Sequence, residues 1–269
     1  MTNFLEQVMA ERRQDVAAAR RRVPDEVVAA QARIAGRPPH HFWRSLLADR
    51  AHLAVIAEVK RVSPALGALA TSTFVPALQA AAYADAGARA ISVLTEPRHW
   101  GGSLDDLRSV RAAVDLPILA KDIVVDAYQI YEAREAGADA VLLIAEALDD
   151  KQLQALVACA DGLGMVALVE AHDAIAFGRA VQFAKGVVGV NARNLRKPSE
   201  LDIGRIRQLH TFAKPHQFLV AESGIGSVDD ARMLPARVDA VLVGTALMRA
   251  DEPAPLIREI AAIRRAVAV

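Results

Sequence analysis

Short apolar runs alternate with longer stretches of helical periodicity along almost the whole chain. Residues 55–60, 90–94, 117–121, 140–144, 165–170, 186–191, 218–222 and 240–244 read as eight strands, each too short for a buried helix and bounded by turn residues. Between them, 73–86, 104–113, 127–136, 149–162, 173–180, 202–209 and 227–234 carry helical spacing, and 253–267 closes the chain. Thr73, Ser103 and Asp126 stand where N-caps are expected, and Gly87 and Gly137 where helices stop. Ahead of the first strand, Phe4, Leu5, Val8, Met9 and Val16 predict an amphipathic helix over 2–22, and a second helix covers 25–35 before the break Gly36-Arg37-Pro38-Pro39.

Eight β-then-α units predict an α/β fold: a single (β/α)8 TIM barrel over 54–269, one domain with an N-terminal helical extension over 1–48. A doubly wound sheet is the poorer match, because no dinucleotide fingerprint follows the first strand. An internal echo agrees. Ala86-Gly87-Ala88-Arg89-Ala90 returns as Ala136-Gly137-Ala138-Asp139-Ala140, and Val238-Asp239-Ala240 is a looser third copy.

Composition narrows the function classes. At 53% hydrophobic residues the 269-residue chain fills a sizeable core, and 32 basic against 32 acidic residues leave no net field to attract nucleic acid or an anionic membrane. Glu6, Glu11 and Asp15 are interleaved with Arg12, Arg13 and Arg20-Arg21-Arg22, so that helix face is expected to be solvated rather than to touch phosphate. No stretch approaches a signal core or a membrane span, which predicts a cytoplasmic protein. The single cysteine, Cys159, reads as a packing residue on a helix face. His40-His41 lacks metal-ligand spacing, so no metal site is expected.

The chemistry is expected at the C-terminal ends of the strands, where barrel active sites lie. Those ends read Glu58 and Lys60, Lys121 and Asp122, Glu170, Asn191 and Arg193, Glu222 and Ser223, and Gly244 and Thr245. Glu58 and Lys60, two apart on a strand, share a face. Repeated charged and amide ends on apolar strands predict one polar pocket. Glu222-Ser223-Gly224-Ile225-Gly226 and Gly244-Thr245-Ala246 follow the last two strands, and unobstructed backbone amides there predict a phosphate site.

Ala57-Glu58-Val59-Lys60-Arg61-Val62-Ser63-Pro64, Leu94-Thr95-Glu96-Pro97, Lys121-Asp122, Leu168-Val169-Glu170-Ala171-His172, Asn191-Ala192-Arg193-Asn194-Leu195 and Glu222-Ser223-Gly224-Ile225 resemble, in order and spacing, the indole-3-glycerol-phosphate synthase family. The resemblance implies conversion of 1-(2-carboxyphenylamino)-1-deoxyribulose 5-phosphate to indole-3-glycerol phosphate in tryptophan biosynthesis, with loss of carbon dioxide and water. It implies no cofactor or metal and a phosphorylated small-molecule substrate; a monomer or weak homo-oligomer is expected. It casts Lys121 as general acid, Glu170 as general base, Glu58 and Lys60 as a second acid/base pair, and Asn191 as an orienting group. Arg193 and Lys60 suit the substrate carboxylate; Ser63, Gly224, Gly244 and Thr245 suit its phosphate, with Glu222 and Ser223 lining the pocket. Burial lowers a lysine pKa and neighbouring glutamates raise it, so these groups titrate together.

Four positions depart from the family pattern. Val62 replaces a small or polar residue, Ala65 a serine, Ala120 an arginine and Ile123 a phenylalanine that would pack on the anthranilate ring; His99-Trp100 stands where an aromatic pair or Arg-Phe is common. Two other readings remain at this point. One is another sugar-phosphate barrel enzyme, such as the preceding isomerase, which calls for a cysteine base. The other is a ligand-binding barrel without turnover.

Overall fold

A computed structural model describes residues 3–35, 41–71 and 73–265. Its strands are β1 (Ala54–Val59), β2 (Val62–Ser63), β3 (Gly67–Ala68), β4 (Ala90–Leu94), β5 (Ile118–Lys121), β6 (Ala140–Ile144), β7 (Val166–Ala171), β8 (Val187–Asn191), β9 (Phe218–Glu222) and β10 (Ala240–Val243). Eight of them close into a parallel barrel in the order β1-β10-β9-β8-β7-β6-β5-β4, with β4 pairing back to β1. The remaining two, β2 and β3, form an antiparallel hairpin directly after β1.

The helices are α1 (Phe4–Arg22), α2 (Asp25–Ile34), α3 (His41–Leu47), α4 (Pro76–Asp85), α5 (Leu104–Ala113), α6 (Ala127–Glu135), α7 (Asp150–Gly162), α8 (Ala174–Phe183), α9 (Gly204–Leu209), α10 (Val228–Arg232), α11 (Thr245–Arg249) and α12 (Ala254–Ala261). Ser103, Asp126, Asp149, Asp173 and Ser227 each cap a helix with a side-chain oxygen. Helices cover the outer face of the barrel and side chains fill the inner one, so β1, β4, β6, β8, β9 and β10 are buried along their whole length.

The internal echo has a physical basis. Gly87 and Gly137 adopt φ of 99° and 102°, the left-handed turn that ends α4 and α6. At the same end of the barrel, the Asp139 carboxylate accepts from the Ile118 backbone N–H at 2.9 Å and that of Asp239 from the Leu219 N–H at 2.7 Å. Each aspartate therefore ties the start of its own strand to the start of the preceding one.

Three expectations change. Thr73 caps nothing: α4 begins at Pro76, whose ring fixes the φ of a first helical turn, after an uncapped Val75. The last helix ends at Ala261, well short of 267, a position outside the described residues together with 36–40 and the break placed there. Arg12 is not on a solvated face. It is 8% exposed, and its Nε and Nη2 donate to the two carboxylate oxygens of Asp122 at 2.9 and 2.8 Å. Cys159 is half-buried against the core, and burial pushes its thiol pKa up, as suits a packing residue. No described helix is long and apolar enough to cross a membrane.

Candidate active site

The barrel opens at its C-terminal end into a cavity of about 380 Å³. Glu58, Lys60, Ser63, Lys121, Glu170, Asn191, Arg193, Glu222, Ser223, Gly224, Gly244 and Thr245 all line it. Twelve residues spread over almost 190 positions of sequence meet because parallel strands in register carry every strand end to the same rim. Leu142, Ile144 and Leu242 give the cavity an apolar lining, and Trp100, Ile123 and Leu195 add apolar wall.

Lys121 ends β5 and is the electrostatic centre. Its Nζ lies 3.9 Å from Glu222 Oε2. Burial pulls its pKa down, but the neighbouring carboxylates, Glu170 first, push harder and hold it above the usual lysine value. The ammonium is thus charged at neutral pH. Glu58 follows the opposite logic: burial raises its carboxyl, yet Lys60, Lys121 and Arg193 outweigh that and hold it below the usual range. Lys60 donates to Glu58 Oε1 at 2.5 Å, so the same-face pair of β1 is a closed ion pair pointing into the cavity.

Glu170 is oriented by Asn191, whose amide nitrogen reaches its two oxygens at 3.2 and 3.3 Å. The Asn191 carbonyl oxygen in turn accepts from the Ser223 hydroxyl at 2.8 Å and the Arg193 N–H at 2.9 Å. Ser223 is held at φ 67°, an unusual backbone for a non-glycine residue that brings its hydroxyl to Asn191. Arg193 donates to the Pro198 carbonyl at 2.5 Å, with its guanidinium lining the cavity.

Gly244 is where backbone meets catalytic side chains. A Cβ there would lie 2.1 Å from Glu58 Oε1 and 3.0 Å from Lys60 Nζ. Gly244→Ala should therefore push the ion pair aside and lower kcat/KM by roughly tenfold or more. Its melting temperature should stay close to wild type, since the displaced atoms are side-chain ends; steady-state kinetics beside a thermal melt checks both.

Some residues around the site were given no role from the sequence. Glu96, fully buried, accepts from the backbone N–H groups of Arg98 at 3.0 Å, His99 at 2.7 Å and Trp100 at 3.0 Å, and so shapes the loop that brings Trp100 to the cavity. Arg249 reaches the cavity from α11. Helix α1 lies against two rim loops: Arg12 on Asp122 after β5, and Glu11 on His99 at 2.6 Å with Asp15 on Arg98 after β4. Among the described residues no group of three or more His, Cys, Asp or Glu side chains is arranged to hold a metal ion.

A closed parallel barrel with a charged lysine ringed by carboxylates at its C-terminal mouth defines a (β/α)8-barrel enzyme of the acid/base kind. Residues 5–260 match the family model for indole-3-glycerol phosphate synthase. Relatives bearing that name are 44% identical over 260 residues in Variovorax paradoxus (strain S110), covering 94% of this chain and 97% of the relative, and 48% identical over 216 residues in Kineococcus radiotolerans, covering 80% and 78%. The chain belongs to the indole-3-glycerol phosphate synthase family, carboxy-lyases of tryptophan biosynthesis. Among solved structures, a 3-hexulose-6-phosphate synthase superposes with a TM-score of 0.62 at 19% identity, over 78% of this chain and 99% of that one. A tryptophan synthase alpha chain from Legionella pneumophila gives 0.61 at 15%, over 84% and 97%. At such identities these two speak for the barrel alone.

Proposed function

We propose that the pocket performs the family's ring closure with the roles that its geometry suggests. The substrate is 1-(2-carboxyphenylamino)-1-deoxyribulose 5-phosphate. The observation that carries this reading is Lys121, a half-buried ammonium facing the carboxyl groups of Glu58, Glu170 and Glu222 inside one cavity. Charged at neutral pH, it is loaded to protonate the substrate carbonyl as the ring carbon attacks. Glu170, aimed by Asn191, takes the proton released in the later dehydration, and the Glu58–Lys60 pair assists as the hydroxyl leaves. Arg193 and Lys60 meet the carboxylate that departs as carbon dioxide.

Ser63 and the two glycine loops at Gly224 and Gly244-Thr245 line one side of the cavity and suit the phosphate. Every one of these groups comes from a single chain, so the site needs no partner residue, which suits an enzyme active as a monomer or weak homo-oligomer. The isomerase reading loses ground because Cys159 sits on α7, on the outer layer of the barrel. Given the substrate, purified protein should generate indole absorbance and fluorescence; binding without product at high enzyme concentration would instead favour a barrel that only holds the ligand.

The apolar wall allows a second test. Ile123 is buried and lines the cavity, as does Trp100, at a position where the family pattern has a phenylalanine. Ile123→Phe should lower KM about threefold to tenfold through added contact with the anthranilate ring. An unchanged or raised KM would sink the packing argument.

A further inference from the structure

Glu222 is a buried carboxyl group that no donor reaches. It ends β9, is 1% exposed, and among the described residues neither oxygen has a hydrogen-bond partner. Other carboxylates in or near the pocket are all partnered: Glu58 by Lys60, Glu170 by Asn191, Glu96 by three backbone N–H groups, Asp122 by Arg12 and Thr95. Lys121, at 3.9 Å, lies beyond hydrogen-bonding reach of Glu222. On the other side, β8 carries glycine at Gly189. A Cβ there would fall 2.2 Å from Glu222 Oε1 and 3.2 Å from Glu170 Cβ, so the missing side chain is the space that the Glu222 carboxyl occupies.

An ionised carboxylate in such a place bears a large desolvation cost, whereas the neutral acid avoids it and gains a proton to share with Glu170. Burial first, and then the Glu170 charge, hold the Glu222 carboxyl well above the usual carboxylate range, against the pull of Lys121.

The reaction needs such a proton. In the first step the ring carbon bonds to the carbonyl carbon and an N–H bond of Lys121 breaks onto the carbonyl oxygen. The bond to the carboxylate then breaks, carbon dioxide leaves, and its electron pair restores the ring. Last, the C–O bond breaks with a second proton delivered to the departing water, while Glu170 takes one proton from carbon. Two protons are delivered and one is recovered. The deficit equals the negative charge that the substrate loses when its carboxylate departs as neutral carbon dioxide.

We propose that Glu222 is the resident store of that proton: a neutral carboxylic acid beside Lys121 that recharges the lysine within each turnover and is itself refilled from solvent as product leaves. This rests on the roles given to Lys121 and Glu170 above. Among the other charged groups around the cavity, Lys60 is closed on Glu58, Asp122 on Arg12 and Glu96 on its own loop, and Arg193 and Arg249 are guanidiniums that keep their protons. Glu222 is the member of the set with a proton to give.

Glu222→Gln in the full-length enzyme tests this, because glutamine keeps the shape and neutrality of the acid and has no transferable proton. We expect kcat to fall about a hundredfold or more with KM within about threefold of wild type. Infrared difference spectra should show the C=O stretch of a protonated carboxyl in the wild type at neutral pH, lost in the variant. Wild-type kcat should decline on the alkaline side as Glu222 ionises. Gly189→Ala, which crowds the acid without removing it, should lower kcat about tenfold and shift that decline. A Glu222→Gln enzyme with near wild-type kcat, a wild type without the carboxyl band, or a Gly189→Ala enzyme with unchanged kcat and pH profile would each overturn the proposal. The failures are separable: if Lys121→Ala stays active, the role assignment falls and the proposal with it; if Lys121→Ala is dead and Glu222→Gln turns over normally, the proton store alone falls.

Discussion

Lys121→Ala should lower kcat by about three orders of magnitude, within the range typical for loss of a positioned general acid, while the protein stays folded. Lys121 is the last residue of β5 and 16% exposed in its side chain, with its charge set against Glu58, Glu170 and Glu222. The aliphatic stem packs in a cavity that already holds open space, so truncation removes little core. Removal of the ammonium takes away the proposed acid, while Glu58 keeps its ion pair with Lys60 and Glu170 its contact with Asn191. Single-turnover measurement of product formation separates this from a binding defect: bound substrate with no product is the expected result. Activity within about tenfold of wild type would show that another group protonates the carbonyl.

Arg12→Met should lower stability by about 3 kcal/mol or more, since it leaves a buried charge on Asp122 without its cation. For a chain of this size that corresponds to a fall in melting temperature of roughly 6–12 °C. Arg12 and Asp122 are 110 positions apart, and the bidentate contact at 2.9 and 2.8 Å joins the helical extension to the residue that follows Lys121. Thr95 and the Ile123 N–H also donate to Asp122 at 2.9 and 2.7 Å, which keeps the loss below that of a bare buried ion. Asp15, which pairs with both Arg12 and Arg98, loses one of its two arginines and keeps the other. The pH dependence has a definite sign. Asp15 is held below its usual pKa by Arg98 and Arg12, so its contribution is present above the ordinary aspartate range and is lost as pH falls through its lowered folded-state value. A melt with the wild-type midpoint would show that α1 is docked by its apolar face alone, through Leu5, Val8 and Val16.

Much of this site was legible one strand at a time. Glu58 and Lys60, Lys121, Glu170, Asn191 and Glu222 announce themselves because an apolar run that ends in a charge is costly unless the end opens on a polar space. Eight such runs at regular spacing imply a closed barrel, and barrel geometry implies that their ends converge. Residues of the second rank gave no such signal. Arg12 looks like any arginine on an amphipathic helix, with acids interleaved on both sides, and it is buried where it meets Asp122, just past the end of β5. Thr73 is a good cap by composition, but Pro76 sets the start of α4 through its own ring.

What the amino-acid order alone determined was the alternation of strands and helices, the barrel that follows from it, the family, and the set of strand-end residues that line the cavity. These depend on local periodicity and on identities at fixed spacing, which a chain carries whether folded or not. What the tertiary structure decided was the state of each group. Lys121 is held charged by carboxylates from other strands, Glu170 first; Glu222 lacks any donor among the described residues because β8 offers it a glycine and β5 an ammonium just out of reach. Protonation depends on burial and on neighbours brought together over long sequence distances, and those exist only once the barrel has closed.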